Sequence, residues 1–525
     1  MYCMKQLLLS SILAFASISA LAQPTWSEDA AEVFFDKCAK CHNPDGVGSF
    51  SLLDYSTAYD YRSLIQSYVE FNIMPPWFAD SSFQHYFDER ILTEYERNTI
   101  IDWADGGGLE GDPELAPPPP VFDAEQILPG TPDLVVEMPL YMSKATEGAD
   151  DYVCISLPTG LTGDRIVKSI EVIPGNPSIV HHCLVYVDDN NDYATDTIGG
   201  NCGGPTVEPL MAGYTPGARP TIFPGGDDFN AGMILAEGSS VVLALHYPHG
   251  SYGEYDQTKV HFYFYEEPVA DFREILAGPF IQNWDFELPA DEITQVDAAY
   301  DDVAFDLTIM SAFPHMHLLG KSIETYALDP IGDTIPFVRI PKWDFDWQDF
   351  YWFEYMQKMP AGSDLRGHAS FDNTSANPHN PSDPPVDVYP GFNTTDEMFL
   401  CYFHIMGYED GDEFVNLDSL NTIYLEDLST GEAALPDKKI TVYPNPFDET
   451  IAIEYNLAEQ SHVSLFVYDL SGKVVRRLYR GEQEQGAQSV VWDGNTDAGT
   501  EVANGVYNYS MLIEGNHYSG RIIKK

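Results

Sequence analysis

The stretch Ala312–Gly320, AFPHMHLLG, places His315 and His317 two residues apart inside an apolar run. On a β-strand that spacing aims both imidazoles at one face, as a metal site requires. His181 and His182 stand in a second apolar run, IVHHCLVYV, and His246 in a third, VVLALHY. A lone histidine in such a strand is ordinarily a hydrogen-bonded core residue. Five in three valine- and leucine-rich runs are hard to bury as bystanders, because each ring needs partners for two nitrogens. The pattern reads as that of a metal protein built on strands.

At 525 residues the chain exceeds what one core can organise, and about three or four domains are expected. It carries 82 acidic against 26 basic residues, a formal charge of -56. That balance argues against nucleic acid and anionic membrane surfaces as partners. At the N-terminus Lys5 precedes the apolar run LLLSSILAFASISA, and Ala20-Leu21-Ala22 comes just before Gln23. Residues 1–22 therefore read as a cleaved secretory signal, too short to span a membrane, and no other run is long enough to do so. The expectation is an exported protein, secreted or attached to the cell surface. Cys3 would leave with the signal, so that six cysteines remain in an oxidising compartment.

Cys38-Ala39-Lys40-Cys41-His42 is the c-type haem attachment pattern, in which two thioethers hold the porphyrin and the adjacent histidine reaches the iron. It follows the amphipathic run Ala31, Val33, Phe34, Phe35, and Met74 in NIMPPWF is suited to the other axial position. Thr93 and Glu96 form a capping box that opens a closing helix through Ile100, Ile101 and Trp103. This stretch resembles a small cytochrome c domain whose distal methionine sits in an MPPW turn. The haem domain is set at residues 24–112, followed by a proline-rich linker at 113–130 that holds the run Pro117–Pro120. A CxxCH can also be a zinc half-site or a disulfide.

After the linker the chain reads as short strands rich in valine, isoleucine, tyrosine and phenylalanine, broken by Gly/Pro/Asn/Asp turns. Val180-His181-His182, Leu245-His246-Tyr247, Pro314-His315-Met316-His317 and Asp396-Glu397-Met398 occur in that order. In this order they resemble the copper type II, ascorbate-dependent monooxygenases, the family of peptidylglycine α-hydroxylating and dopamine β-monooxygenases. The flanks CISLPTGL, WDFDWQDFYWF and SFDNTSANPHNPSDPP are similar to its bacterial members. The resemblance implies two jelly-roll-like β-sandwiches, set here at residues 131–275 and 276–425. It implies an electron-transfer copper at His181, His182 and His246, and an oxygen-activating copper at His315, His317 and Met398. A thioether suits Cu(I) and is seldom recruited by zinc. Adjacent His181 and His182 should point to opposite faces of a strand, so one metal needs a bulge or a strand end there. His249 could stand in for His246. The resemblance also implies a disulfide between Cys154 and Cys202, leaving Cys183 and Cys401 as free thiols or a second pair. His368, His379 and His404 match no motif and read as surface or second-shell residues.

Two departures bear on the substrate. The arginine that anchors a peptide carboxylate in the amidating enzymes is replaced here by Phe313, and the family's asparagine position is Leu400, although Tyr402 keeps the tyrosine. An uncharged molecule in an apolar pocket is the expectation.

After a linker at 426–438, residues 439–525 open on TVYPNPF and continue as short strands with turns at Ser471-Gly472, Asp493-Gly494 and Glu514-Gly515. They resemble the C-terminal sorting domain of the type IX secretion system of Bacteroidota. The whole chain is thus expected to be multidomain and mainly β, with a small α-helical haem domain, two copper sandwiches and a small β-sandwich tail. The expected function is hydroxylation of a substrate C–H with O2, using two copper ions, haem c, and electrons from ascorbate or another external donor. The rival expectation is a non-catalytic surface haem and copper electron-transfer protein. Partners would be a small molecule and the type IX secretion machinery, with no nucleic acid.

Overall fold

The computed structural model describes residues 23–525, except 45, 121, 123–125, 147–148, 198–208, 227–228, 267–271, 346, 392, 418–419, 422–439, 448–449, 458–459, 469–473, 497–498 and 514–515. The chain is mainly β and divides into two compact units, Met1–Ser429 and Thr430–Lys525.

Helices Ala31–Lys37, Tyr55–Glu70 and Glu94–Asp105 form the first part of the larger unit. Their starts are set by side-chain caps: Asp54 accepts from Thr57 N, and Thr93 and Glu96 form the reciprocal capping box. Trp26, Phe34 and Trp103 fill the space between the helices, and the Trp103 indole donates to Leu109 O at 3.0 Å.

The next stretch leaves this helical cluster. Trp77 and Phe78 pack against the core of the second sandwich, and Ala79 and Tyr86 lie inside it. Tyr86 bridges to Phe353 and donates its hydroxyl to Phe337 O at 2.9 Å, and Phe87 N donates to Trp352 O at 2.9 Å. Residues 77–90 therefore act as an added layer on a distant domain, with Tyr86 and its partner Phe337 lying 251 positions apart in sequence. The proline run that follows does not set the helical module apart as a separate body.

The first sandwich packs a seven-stranded sheet, centred on Arg165–Ile173 and Lys259–Phe264, on a four-stranded sheet ordered Asp151–Pro158, Ser240–Tyr247, His182–Asp188, Leu210–Tyr214. The second pairs a sheet ordered Leu276–Asn283, Phe399–Gly407, Leu307–His315, Tyr351–Met359 with one ordered Glu292–Tyr300, Asp364–Asn373, Gly320–Leu328, Thr334–Ile340. Strand alternation explains how they join. Along Ser240–Tyr247, Val241, Leu243 and Leu245 enter the first core, whereas Val242 and Ala244 face the other sandwich. Along Phe399–Gly407, Phe399, Cys401 and Phe403 enter the second core, whereas Leu400 and Tyr402 face back. Met310, Trp352, Met356 and Met406 of the second sandwich complete the core of the first.

In the smaller unit, Thr441–Tyr443, Ile451–Leu457 and Gly486–Trp492 form one sheet. Val474–Gln483, Ser461–Tyr468, Gly505–Ile513 and Asn516–Lys524 form the other. Phe447, Ile453, Leu465 and Trp492 are among its buried residues.

Because Tyr86 is buried in the second core, Tyr86→Ala should cost about 3 to 5 kcal/mol in urea unfolding of the larger unit. An unchanged midpoint would show that the 77–90 layer carries no load in that core.

Candidate functional site

Antiparallel register sets His182 opposite His246, and His246 opposite Tyr152, in one row across three strands. His181 lies just before the strand His182–Asp188. Its N–H donates to His246 O at 3.0 Å, which pins it at the strand end, where alternation no longer sends adjacent side chains apart. The ring centroids of His181 and His246 are 4.9 Å apart, and those of His182 and His246 4.7 Å. The three histidines offer nitrogen atoms within 4.8 Å of one another. His246 takes part in this cluster, and His249 is exposed beside Asp150.

The nitrogens are arranged as a metal centre needs. Asp150 accepts from His246 Nε2 at 3.0 Å, which turns Nδ1 inward, 3.3 Å from Nδ1 of His182. Two inward nitrogens at that distance, with the His182 ring held well below its ordinary pKa by burial and by the neighbouring His246, suit a cation between them.

On the other side, the strand Leu307–His315 ends at its histidine, and His317 lies in the turn that follows. The expectation of two ligands on one continuous strand is met only for His315. The turn is shaped by the Glu397 carboxylate, which accepts from His317 N at 2.9 Å, Leu319 N at 2.6 Å and Met398 N at 3.2 Å. One buried side chain thus takes the place of the lost ladder and joins the two segments that carry His317 and Met398. Burial pushes Glu397 up to about 8 in spite of its three donors.

His315 Nδ1 pairs with Gln348 Oε1, and His317 Nδ1 donates to Asp396 O at 3.1 Å. In each ring Nε2 is left with its lone pair. Burial holds His315 down to about 4 and His317 to about 3, so both are neutral near pH 7. The ring centroids stand 5.1 Å apart, perpendicular to each other. Met398, which is 4% exposed, lines one cavity with His315 and His317, and imidazole with thioether is a donor combination that suits copper.

One member of the first cluster, His182, opens on the same cavity as the second cluster. His182, His315, His317 and Met398 line it together with Tyr186, Phe313, Phe345, Leu400 and Tyr402, around roughly 650 Å³ of atom-free space that includes open solvent. Phe345 stands between the clusters, its ring 6.2 Å from His246 and 6.0 Å from His317. Among the described residues, no Lys, Arg, Asp or Glu side chain lines the cavity.

In the helical module, Cys38 caps the first helix and the CxxCH segment continues from it. His42 Nδ1 lies 2.9 Å from Phe50 O, an arrangement that leaves Nε2 available. The helix Tyr55–Glu70 buries Ala58, Ile65 and Val69 but leaves Tyr61, Leu64 and Tyr68 open on another face, with Phe71 beyond them. Tyr61 stacks on Phe50 at 4.0 Å, which places this uncovered apolar face beside His42. An apolar helix face next to an available imidazole nitrogen and two thiols fits a porphyrin. Burial pushes the Cys38 thiol up to about 12. Met74 is 37% exposed, and no hydrogen bond or ring contact joins it to His42 among the described residues.

Cys154 is disulfide-bonded, and Cys202 lies outside the described residues. Cys183 and Cys401 are buried free thiols. His368 is exposed and pairs with Asp297, and His379 is also exposed. His404 departs from the surface reading: it is fully buried between Phe350 and Trp352, with Nδ1 2.7 Å from Ser311 Oγ. Asp150, Tyr152, Phe345 and Gln348 had no individual signal in the sequence, although Phe345 and Gln348 fall in the aromatic WDFDWQDFYWF segment.

The FlgD Ig-like domain family matches residues 444–515, within the tail. No curated protein sequence matches the chain. Among solved structures there is similarity to PorZ, a surface component of the type-IX secretion system of Porphyromonas gingivalis, at 23% identity over 16% of this chain and 11% of that one, with a TM-score of 0.13. Latent PorU of the same organism is similar at 11% identity over 71% of this chain and 34% of that one, TM-score 0.15. The alkylpurine DNA glycosylase AlkC of Pseudomonas fluorescens is similar at 15% identity over 20% and 34%, TM-score 0.13. The chain spans about a tenth of the PorZ chain that it matches, and at these TM-scores none of the three bears on the fold.

Burial holds His404 down to about 3 in the folded protein. The unfolded chain takes up its proton near pH 6.5, so stability falls as pH falls from there toward 3, at about 1.4 kcal/mol per pH unit for this residue. Urea unfolding of metal-free protein at pH 7 and pH 5 should show a shallower pH dependence for His404→Phe than for wild type. Equal slopes would mean that His404 is not held neutral.

Proposed function

We propose that the chain is an exported copper-dependent monooxygenase with its own c-type haem module, and that it hydroxylates an uncharged apolar molecule with O2. The observation that carries this reading is the shared cavity, in which His182 of one sandwich faces His315, His317 and Met398 of the other. The resemblance of four motifs in order, stated above, supports it. Copper held there would supply the one-electron chemistry that inserts one oxygen atom into a C–H bond, the other leaving as water with two electrons and two protons from an external donor such as ascorbate.

The chain's own residues have separate tasks. Asp150, Gln348 and the Asp396 carbonyl fix which nitrogen of each imidazole faces the cavity. Glu397 holds the His317 turn against the Met398 strand. Phe313, Leu400 and Tyr402 form the wall on which a substrate would lie. With no cationic side chain there among the described residues, a carboxylate would lose its water without gaining a partner, so neutral molecules are favoured. Cys38, Cys41 and His42 would hold the haem, with Met74 as a further ligand, and the group would supply one-electron transfer. The apolar N-terminal run and the Ig-like tail fit export through type IX secretion to the medium or the cell surface, and no described helix is long and apolar enough to cross a membrane.

Metal content and oxygen uptake should be measured on one preparation, wild type beside Met398→Ala, with ascorbate as reductant. The expected wild type holds about two copper ions and one haem per chain, and uptake in the variant falls about 10- to 100-fold. Copper bound equally well by both, with no methionine-dependent oxygen chemistry, would favour the non-catalytic electron carrier.

A further inference from the structure

The helical module meets the two sandwiches at a second cavity. Gly217 has a φ of +80°, and a Cβ there would lie 2.4 Å from Cys41 Sγ, so this loop needs glycine both for its backbone and for the approach of the cysteine. The cavity beside it is lined by Lys40, Arg90, Asp349, Phe350 and Trp352, among others. Lys40 lies inside the CxxCH motif, and Phe350 belongs to the aromatic segment that also carries Gln348.

That segment touches both cavities. Toward the helical module, the Arg90 guanidinium pairs with Asp349 at 2.7 Å and lies 4.6 Å from the Trp347 ring, which is 6.1 Å from Phe78. Toward the copper cavity, Gln348 holds His315, and Phe350 packs 4.7 Å from Phe313. Phe313 in turn lies 6.4 Å from His315, the two rings nearly parallel at 13°. The first cluster has ring contacts with Tyr152 and Phe345. A competing way in would cross Tyr214, which pairs in register with Cys183 beside His182.

We propose that the His315 side of the copper cavity is the electron entry port from the haem module, with Phe350 and Phe313 as the bridge of rings. This rests on the haem and copper reading above. A haem held at Cys38, Cys41 and His42 would give up one electron, iron(II) to iron(III), and a copper ion held at His315, His317 and Met398 would take it, copper(II) to copper(I). No protein bond forms or breaks, and ascorbate or a similar one-electron donor reduces the haem again. The order differs from one in which the His181, His182 and His246 cluster receives every electron first.

The test uses the full chain, with haem in place and copper removed, reduced by ascorbate, desalted to remove the excess reductant and kept free of oxygen. One equivalent of Cu(II) is added in a stopped-flow instrument, and the visible bands of ferrous haem are followed. A double variant, His246→Ala with His315→Ala, sets the rate of oxidation by unbound copper. His246→Ala should keep the fast oxidation and His315→Ala should lose it. Phe350→Leu should slow it about tenfold while copper and haem contents stay at the wild-type level, and Tyr214→Leu should leave it unchanged. Fast oxidation that survives His315→Ala but not His246→Ala would overturn the proposal, as would a wild-type rate in Phe350→Leu. Wild type that binds no copper or no haem would instead remove the parent reading, and the entry port with it.

Discussion

The larger unit depends on the face-to-face contact between its two four-stranded inner sheets. Each of the strands Ser240–Tyr247, His182–Asp188 and Phe399–Gly407 is apolar on both faces, which a one-sided sheet would not tolerate. One face fills its own sandwich and the other meets the opposite sandwich. The histidines sit at one end of the second face. Because the period is two, a slip of one residue would move His246 into the first core and Tyr247 into the cavity. The register that packs the cores is therefore the register that presents the imidazoles.

Burying five imidazoles at an interface between sheets is costly unless every nitrogen is answered. The structure answers the outer nitrogens with groups suited to hold them: Asp150 for His246, Gln348 for His315, a main-chain carbonyl for His317. The inner Nδ1 atoms of His246 and His182 face each other at 3.3 Å, and His182, His315 and His317 line the cavity. Burial keeps His182, His315 and His317 neutral, the form in which imidazole binds a metal. The same desolvation that makes the cluster expensive in an empty protein thus prepares it as a donor set.

Much of this was legible in the sequence, because period-two alternation and histidine spacing are local. The apolar runs, the capping box at Thr93 and Glu96, and the all-β tail lie within reach of such patterns. The site itself was legible as a list of histidines but not as a geometry. His181 and His182 could share a cluster only at a bulge or a strand end, and it is an end, set by a hydrogen bond to His246 from far along the chain. His317 left its strand because Glu397, 80 residues away, holds its N–H. His404 looked peripheral without a motif, yet the joining of two domains buried it. Gln348 and Asp150 are ordinary polar residues until folding brings a histidine to them.

The segment 77–90 was the least legible part, and it changes how the N-terminal module should be viewed. A proline run after a CxxCH segment suggests a module held on a stiff spacer. Instead, residues just beyond the MPPW turn lie in the second core, and Tyr86 reaches Phe337 across 251 positions. A tethered module meets its partner at an effective concentration set by the tether, and its orientation varies from one encounter to the next. One that contributes residues to its partner's core cannot leave without unfolding part of it. Cys41 is thereby held against Gly217, and Arg90 against Asp349, in one fixed arrangement. Whatever passes between this module and the histidine cavity does so over a permanent contact, and the side chains that lie there are the ones selection would act on.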